Sequence, residues 1–416
     1  MKIFKFGGAS INSIERIQNI PNILQQYSGE PLMLVISAMG KTTNALEKVA
    51  ETFYSGKNDE ALQLFDAIKK QHVTLAKYLL VTHFNNCIVQ LNNFFTEVEW
   101  LLHDKPVHEF DYYYDQIVCA GEMLSTSIVS SYLNEKGLGN TWLDVRDIIK
   151  TDNNFRDAAI DFDETISRTK DIIQTGTTYI TQGFVGCTNE NESTTLGREG
   201  SDYTAAVFAN ILDAESVTIW KDVEGVMSAD PKEFPDAKLI DELSYTEVIE
   251  MAFYGAQVIH PKTIKPLQNK NIPLLVKSFI DPSLKGTIIH HHLDKNLPPI
   301  IVNKQKQILV NLSSLDFGFV GEKHTTELYQ LFSQFKIKPN LIQTGAISIS
   351  VCLDDRSEKI EQFALAASSI FNVQLEKDLS LFTIRHYNEE IIQQLLTGKE
   401  ILLEQKTKTT LQAVYK

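Results

Sequence analysis

The opening residues of the chain alternate strand, glycine turn and helix, and this rhythm constrains the fold more than any other feature. Lys2 to Phe6 reads as a short strand, Gly7-Gly8-Ala9-Ser10 breaks it, and Ile11 to Leu24 has the apolar spacing of an amphipathic helix. A second apolar strand, Pro31 to Ser37, ends in a small polar loop, Ala38 to Asn44, before another helix. Strands separated by crossover helices predict an α/β fold with a mainly parallel sheet between helix layers. Ligands collect beyond the carboxyl ends of such strands, where both loops fall.

The pattern stays helical from Ala45 to about Trp100 and again through Asp115 to Ser127. That second stretch sets Glu122 behind a glycine among apolar residues, and a buried glutamate needs a cationic partner that a solvent-facing one does not. Strands are expected at Asn140 to Val145 and Thr178 to Phe184. The stretch Thr195 to Ala206 then places Arg198, Glu199, Ser201 and Asp202 in a glycine loop feeding a helix over Tyr203 to Leu212. Free backbone N–H groups and the positive end of the helix dipole favour an anion there. Ser201 or Asp202 acting as a helix cap would explain one polar residue, but not an arginine and an aspartate together.

Strand Ser216 to Trp220 leads into a loop from Lys221 to Lys232, broken by Asp222, Gly225, Asp230 and Pro231 as a loop shaped over a ligand would be. Ile240 to Ala252 reads as helix and Ile272 to Ser278 as strand. The triplet His290-His291-His292 has no carboxylate or cysteine at metal spacing, so it reads as a strand end and no metal site is expected.

The length of 416 residues calls for two or three domains. Asp294 to Pro299 is turn-rich and marks the boundary between a domain over 1–293 and a region over 299–416. Beyond it the spacing gives strand, helix, two strands, helix and strand, an α+β ferredoxin-like module over about 303–386. A helix at Glu389 to Leu396 and strands around Glu400 to Gln405 and Thr409 to Tyr415 leave only a partial second module over about 387–416.

A net charge of −14 excludes nucleic-acid or membrane binding through overall charge, so any nucleotide must be held locally. Hydrophobic residues at 43% and charged residues at 22% fit a globular protein rather than a disordered one. The four cysteines are far apart, no run approaches transmembrane length, and a strand pattern starts at the N-terminus, so a reduced, cytoplasmic setting is expected.

Lys5-Phe6-Gly7-Gly8-Ala9-Ser10, Gly121-Glu122, Thr195 to Thr204, Lys221 to Val226 and Gly255 to Pro261 stand in the order of one family. The chain resembles the monofunctional aspartokinases of the amino acid kinase superfamily over residues 1 to about 290, and their ACT-type regulatory region more loosely beyond. Each motif is weak alone; together they are specific. The resemblance implies the amino acid kinase fold and ATP-dependent phosphorylation of the side-chain carboxylate of L-aspartate, the first step toward lysine, threonine and methionine. It also implies a homodimer or higher homo-oligomer through the C-terminal region.

By this resemblance Lys5 and Asp202 are catalytic, Arg198 grips the substrate α-carboxylate and Glu122 meets its α-ammonium. Ser37, Thr43, Phe184 and Ser201 line the aspartate pocket. Lys5, Phe6, Gly7, Gly8, Lys221, Asp222, Met227, Lys232 and Gln257 surround the nucleotide. Mg2+ rides on the ATP phosphates with water, and needs no dedicated cage. Phosphoryl transfer asks for alignment and positive charge more than covalent help, which such a set supplies.

The chain departs from the family at three places. Glu199 stands where the family loop has glycine, with a side chain expected to point away from the substrate, and Gln257 stands where the family has a phosphate-contacting lysine. Lys262 and Lys265 are the candidates to replace that lysine. Gly345-Ala346 occupy positions where lysine-inhibited relatives present serine and glutamate, so an effector ammonium would lack its carboxylate there. A kinase for glutamate or acetylglutamate and a weakened amino-acid sensor are the competing readings. Arg198 with Glu122 favours a free α-amino acid, and Lys5 with Asp202 favours turnover.

Overall fold

The computed structural model describes residues 1–416 except 175, 257, 293–296 and 317. The chain divides into two compact units, and the division is not a single cut: Met1–Val226, Asp241–Ile249 and Val258–Leu293 form one, while Met227–Ile240, Glu250–Gln257 and Asp294–Lys416 form the other.

The chain begins with β1 (Lys2–Phe6), α1 (Ile14–Gln25), β2 (Leu32–Ile36), α2 (Thr42–Tyr54), α3 (Asn58–Leu79), α4 (Phe84–His103), α5 (Phe110–Val118) and α6 (Ala120–Glu135). It continues through β3 (Thr141–Trp142), α7 (Phe162–Ile172), β4 (Tyr179–Gln182), β5 (Val185–Cys187), β6 (Ser193–Thr195), α8 (Gly200–Ile211) and β7 (Ser216–Lys221). Then come β8 (Val226–Met227), β9 (Leu239–Ile240), β10 (Glu242–Ser244), α9 (Tyr245–Tyr254), α10 (Pro261–Lys270), β11 (Leu274–Ser278) and β12 (Thr287–His290).

Eight of these strands form one sheet in the order β10-β12-β11-β7-β1-β2-β4-β3, parallel at every pairing except β11 with β12. The expected mainly parallel α/β sheet is therefore present. β2 is buried at all five positions, as a strand covered on both faces requires. β1 lies at the centre between β2 and β7, where the strand order turns, so its carboxyl end opens at the switch point. Phe6 stacks on Trp220 and meets Phe279 edge to face, which fixes β1 against β7. Helix α6 is buried on nearly every face, and this carries Glu122 into the interior.

Several boundaries differ from the sequence reading, each for a tertiary reason. The helical stretch from Ala45 is three helices, and the one from Asp115 is two, broken at Cys119. The strand expected at Asn140 to Val145 keeps two residues, because Asp144 accepts from Arg146 N–H and starts a helical turn. α8 starts at Gly200 rather than Tyr203, and neither Ser201 nor Asp202 caps it. Glu199 closes the loop instead, in a left-handed backbone with φ 54°. The helix expected from Ile240 begins at Tyr245, since β12 recruits the residues before it as strand β10, a pairing that local periodicity does not register.

The second unit carries β13 (Ile300–Ser314), α11 (Glu322–Gln334), β14 (Leu341–Thr344), β15 (Ser348–Asp354), α12 (Ser357–Ala367), β16 (Phe371–Arg385), α13 (Glu389–Leu396), β17 (Ile401–Lys406) and β18 (Thr410–Tyr415). Its antiparallel sheet runs β14-β15-β13-β16-β18-β17. The βαββαβ order is as expected, but β13 and β16 each run for 15 residues, longer than the sequence suggested. Their pairing shifts register between Lys304 and Leu309, where Lys306 adopts φ 55°. The early part of β13 pairs with the late part of β16, which in turn pairs with β18, so the final residues join the same six-stranded sheet. Gly345 and Ala346 sit in the tight β14–β15 hairpin, where Gly345 N–H donates to the Ser348 carbonyl. Among the described residues no helix is long and apolar enough to cross a membrane.

Candidate active site

After β1 the chain passes through Gly7 into a short helical turn, Gly8–Ile11. A Cβ on Gly8 would stand 2.7 Å from the Ala38 carbonyl oxygen, so glycine alone lets this turn press against the loop after β2. Gly40 N–H donates to the Gly8 carbonyl across that contact at 3.0 Å. Beyond β4, a Cβ on Gly183 would fall 2.5 Å from Ser201 Cβ, which brings the strand end against the start of α8. The ends of β1, β2, β4 and β7 and the first turn of α8 meet around one cavity of about 530 Å³.

Lys5, Gly8, Ser37, Thr43, Glu122, Phe184, Arg198, Ser201, Asp202 and Lys221 border this cavity. They come from positions scattered over more than half of the first unit, and the sheet topology alone unites them. Phe6 is instead buried in β1, and Gly7 and Asp222 stand just beyond the lining. Met227 and Lys232 belong to the second unit, and Gln257 lies outside the described residues.

Two lining residues escaped the sequence reading. Arg156 adopts φ 70° and sets its guanidinium 4.3 Å from the Tyr114 ring centre, with Asp111 at 3.1 Å and Glu47 at 3.8 Å. The only signal was an arginine in a polar loop, and a left-handed conformation at arginine has no sequence signature.

Lys5 Nζ lies 2.6 Å from Asp202 Oδ1, and both side chains are largely buried. Glu122 Oε1 accepts from Ala38 N–H at 3.1 Å, while Oε2 has no partner among the described residues. Burial raises the Glu122 carboxyl to about 8, against the opposing pull of the Ala38 N–H and the Lys5 charge. Asp115 ties the surrounding loops together. Its carboxylate accepts from Thr195 Oγ1 at 2.7 Å, Thr195 N–H at 2.8 Å and Arg156 N–H at 2.9 Å. Burial still lifts it to about 6, with those hydrogen bonds pulling the other way. Arg198 is exposed at the rim and makes no ion pair among the described residues.

Glu199 does not turn fully away, as expected, but stays on the cavity wall with Oε2 accepting from His260 N–H at 3.2 Å. The left-handed backbone there explains why glycine suits this position in the loop. Neither candidate for the missing lysine reaches the cavity. Lys262 Nζ is held by Asp157 Oδ1 at 3.0 Å and the Leu196 carbonyl at 2.9 Å, and Lys265 borders a separate cavity beside α8 and α10. Lys221 Nζ, which does border the main cavity, donates to the Val258 carbonyl at 2.8 Å.

Residues 1–278 match the amino acid kinase family. The chain is 29% identical over 422 residues to lysine-sensitive aspartokinase 3 of Escherichia coli (strain K12), covering 96% of this chain and 89% of that protein. It is 31% identical over 374 residues to the chloroplastic aspartokinase 2 of Arabidopsis thaliana, covering 85% of this chain and 66% of that protein. Among solved structures it is similar to E. coli aspartokinase III in complex with aspartate and ADP, with a TM-score of 0.82, 26% identity, and coverage of 100% of this chain and 96% of that one. The family match takes in well over half of the chain and every residue that borders the cavity, and the chain belongs to the amino acid kinase family.

Proposed function

We propose that this chain is an aspartate kinase, which transfers the γ-phosphoryl group of ATP to the side-chain carboxylate of L-aspartate and releases ADP and 4-phospho-L-aspartate. The observation that carries this reading is the presence in one cavity of a buried carboxylate with an unpartnered oxygen, Glu122, and an arginine with no ion pair among the described residues, Arg198. A free α-amino acid needs one anion for its ammonium and one cation for its carboxylate. The likeness to an aspartokinase solved with aspartate and ADP supports the same substrates here.

In this reading Glu122 and Arg198 hold the two ends of the amino acid backbone, while Ser37, Thr43, Phe184 and Ser201 shape the pocket around the side chain. The aspartate side-chain oxygen attacks the γ-phosphorus as the bond to the β-phosphate oxygen breaks. Lys5 meets the negative charge on the transferring group, and Asp202 fixes the direction of the Lys5 ammonium. Lys221 and Asp222 are assigned to the nucleotide, with the Phe6, Gly7 and Gly8 backbone beside its phosphates. Asp202 faces Lys5 and Glu199 faces His260, and Mg2+ would be carried on the ATP phosphates, where it would neutralise their oxygens.

We assign catalysis to 1–293 and an ACT-type regulatory role to 299–416, with a homodimer through the latter. A cytoplasmic location accompanies this reading, with Cys87, Cys119, Cys187 and Cys352 all free and buried. ADP release measured with aspartate, glutamate and N-acetylglutamate in turn tests the substrate. Release with aspartate alone is expected, and a faster reaction with either of the others would replace the proposed substrate.

A further inference from the structure

Beside the three consecutive histidines at 290–292 the fold places a carboxylate from a distant strand. β10 lies parallel to β12 at the edge of the large sheet, with Glu242 opposite Ile288 and Ser244 opposite His290. Alternate residues of a strand share a face, so Glu242 and His290 project from the same side. His290 Nε2 lies 2.5 Å from Glu242 Oε1.

The chain folds back after β12, and His292 N–H donates to His290 Nδ1 at 2.9 Å. This gathers the imidazoles: the His291 and His292 ring centres are 4.0 Å apart, and those of His290 and His292 are 4.9 Å apart. One ligating nitrogen from each ring lies within 4.8 Å of the others.

We propose that Glu242, His290, His291 and His292 form a binding site for a divalent transition metal, best suited to zinc, that clamps the edge strand β10 to β12. Three imidazole nitrogens and one carboxylate oxygen are a donor set that zinc accepts in four-coordinate geometry, and that calcium or magnesium does not favour. Tetrahedral bonds of about 2.0–2.1 Å place ligand atoms roughly 3.3 Å apart, closer than the present 4.8 Å spread of the three imidazole nitrogens, so binding would draw the rings together.

His290 is buried and anchored in the strand, whereas His291 and His292 are exposed. His290 Nδ1 accepts from the His292 amide, so the ring proton sits on Nε2, facing Glu242. An ion entering between Nε2 and the carboxylate takes that place. The proton moves to Nδ1, the His292 amide is released, and the turn can bring its two rings onto the ion. The charge of −14 on the chain favours cation capture.

The test uses the full chain without an affinity tag, stripped with chelator, then titrated with Zn2+ by calorimetry and with Co2+ by visible absorption. One equivalent of Zn2+, a tetrahedral Co2+ spectrum and a Zn2+-dependent rise in Tm are expected. Glu242→Gln should weaken Zn2+ at least about tenfold. The double variant His291→Ala, His292→Ala should abolish binding and the Tm rise while leaving phosphoryl transfer unchanged, which also shows that it is folded. No saturable binding by the native chain would overturn the site. So would binding that survives in the double variant, and binding indifferent to Glu242→Gln would remove the strand clamp.

Discussion

Lys5 Nζ lies 2.6 Å from Asp202 Oδ1, so an ion pair joins the carboxyl end of the central strand to the first turn of α8. The aspartate aims the ammonium into the cavity rather than leaving it to find its own rotamer. Charge held in place before reaction costs no reorganisation when negative charge shifts across the phosphoryl group. Lys5→Ala is expected to lower kcat by roughly a hundred- to a thousandfold while changing the KM for ATP far less. Equal losses in turnover and nucleotide binding would make Lys5 a binding residue only.

Glu122 gives a pH signature. Burial raises its carboxyl from the ordinary value of 4.5 to about 8, so the folded chain holds a proton that the unfolded chain has lost across that interval. This group's contribution to stability is therefore present below about 4.5 and is lost as pH rises through about 8. Aspartate binding has the opposite sign, because the ammonium needs the ionised form. The kcat/KM for aspartate should rise with pH toward about 8, and Glu122→Gln should flatten that rise at a low plateau. A native profile without a rise would detach Glu122 from the ammonium.

Arg198 lines the rim with no competing ion pair among the described residues, so its charge is available to a ligand. Arg198→Ala removes charged hydrogen bonds worth about 1.5–3 kcal/mol each and should raise the KM for aspartate by roughly ten- to a hundredfold. Steady-state kinetics at saturating ATP measure this. An unchanged KM would take the arginine out of the substrate site.

Glu199 couples strain to charge. Its left-handed backbone is costly for any residue but glycine, and its carboxylate accepts from His260 N–H at 3.2 Å. Glu199→Gln keeps an acceptor and removes the charge, so the KM for aspartate should fall severalfold with Tm unchanged. Glu199→Gly should relax the backbone by about 1 kcal/mol, offset by loss of the hydrogen bond, for a Tm within a few degrees of native. A large drop in Tm with glycine would show that the His260 contact, rather than the backbone, dominates.

The parallel sheet was legible because β1 and β2 are apolar strands punctuated by glycine loops, a pattern that local chemistry dictates. The meeting of Lys5, Glu122, Arg198 and Asp202 around one cavity was legible only through the order of weak motifs, since no local rule links residues so far apart. Strand β10 and its contact with His290 depend on a partner 48 residues away, and periodicity in a three-residue strand carries no such information. Arg156 and Glu199 were harder still. Each holds a positive φ that neighbouring structure imposes, and each turns a loop residue into part of the wall. The long strands β13 and β16 read as shorter ones because their bulge at Lys304 to Leu309 interrupts the alternation.

The most direct measurement is trapping of the product. An acyl phosphate reacts with hydroxylamine to give a hydroxamate, so the native chain incubated with ATP, Mg2+, aspartate and hydroxylamine should form aspartyl hydroxamate in step with ADP. Lys5→Ala should form almost none. Absence of hydroxamate from the native chain at every aspartate concentration would contradict the assignment of aspartate kinase activity.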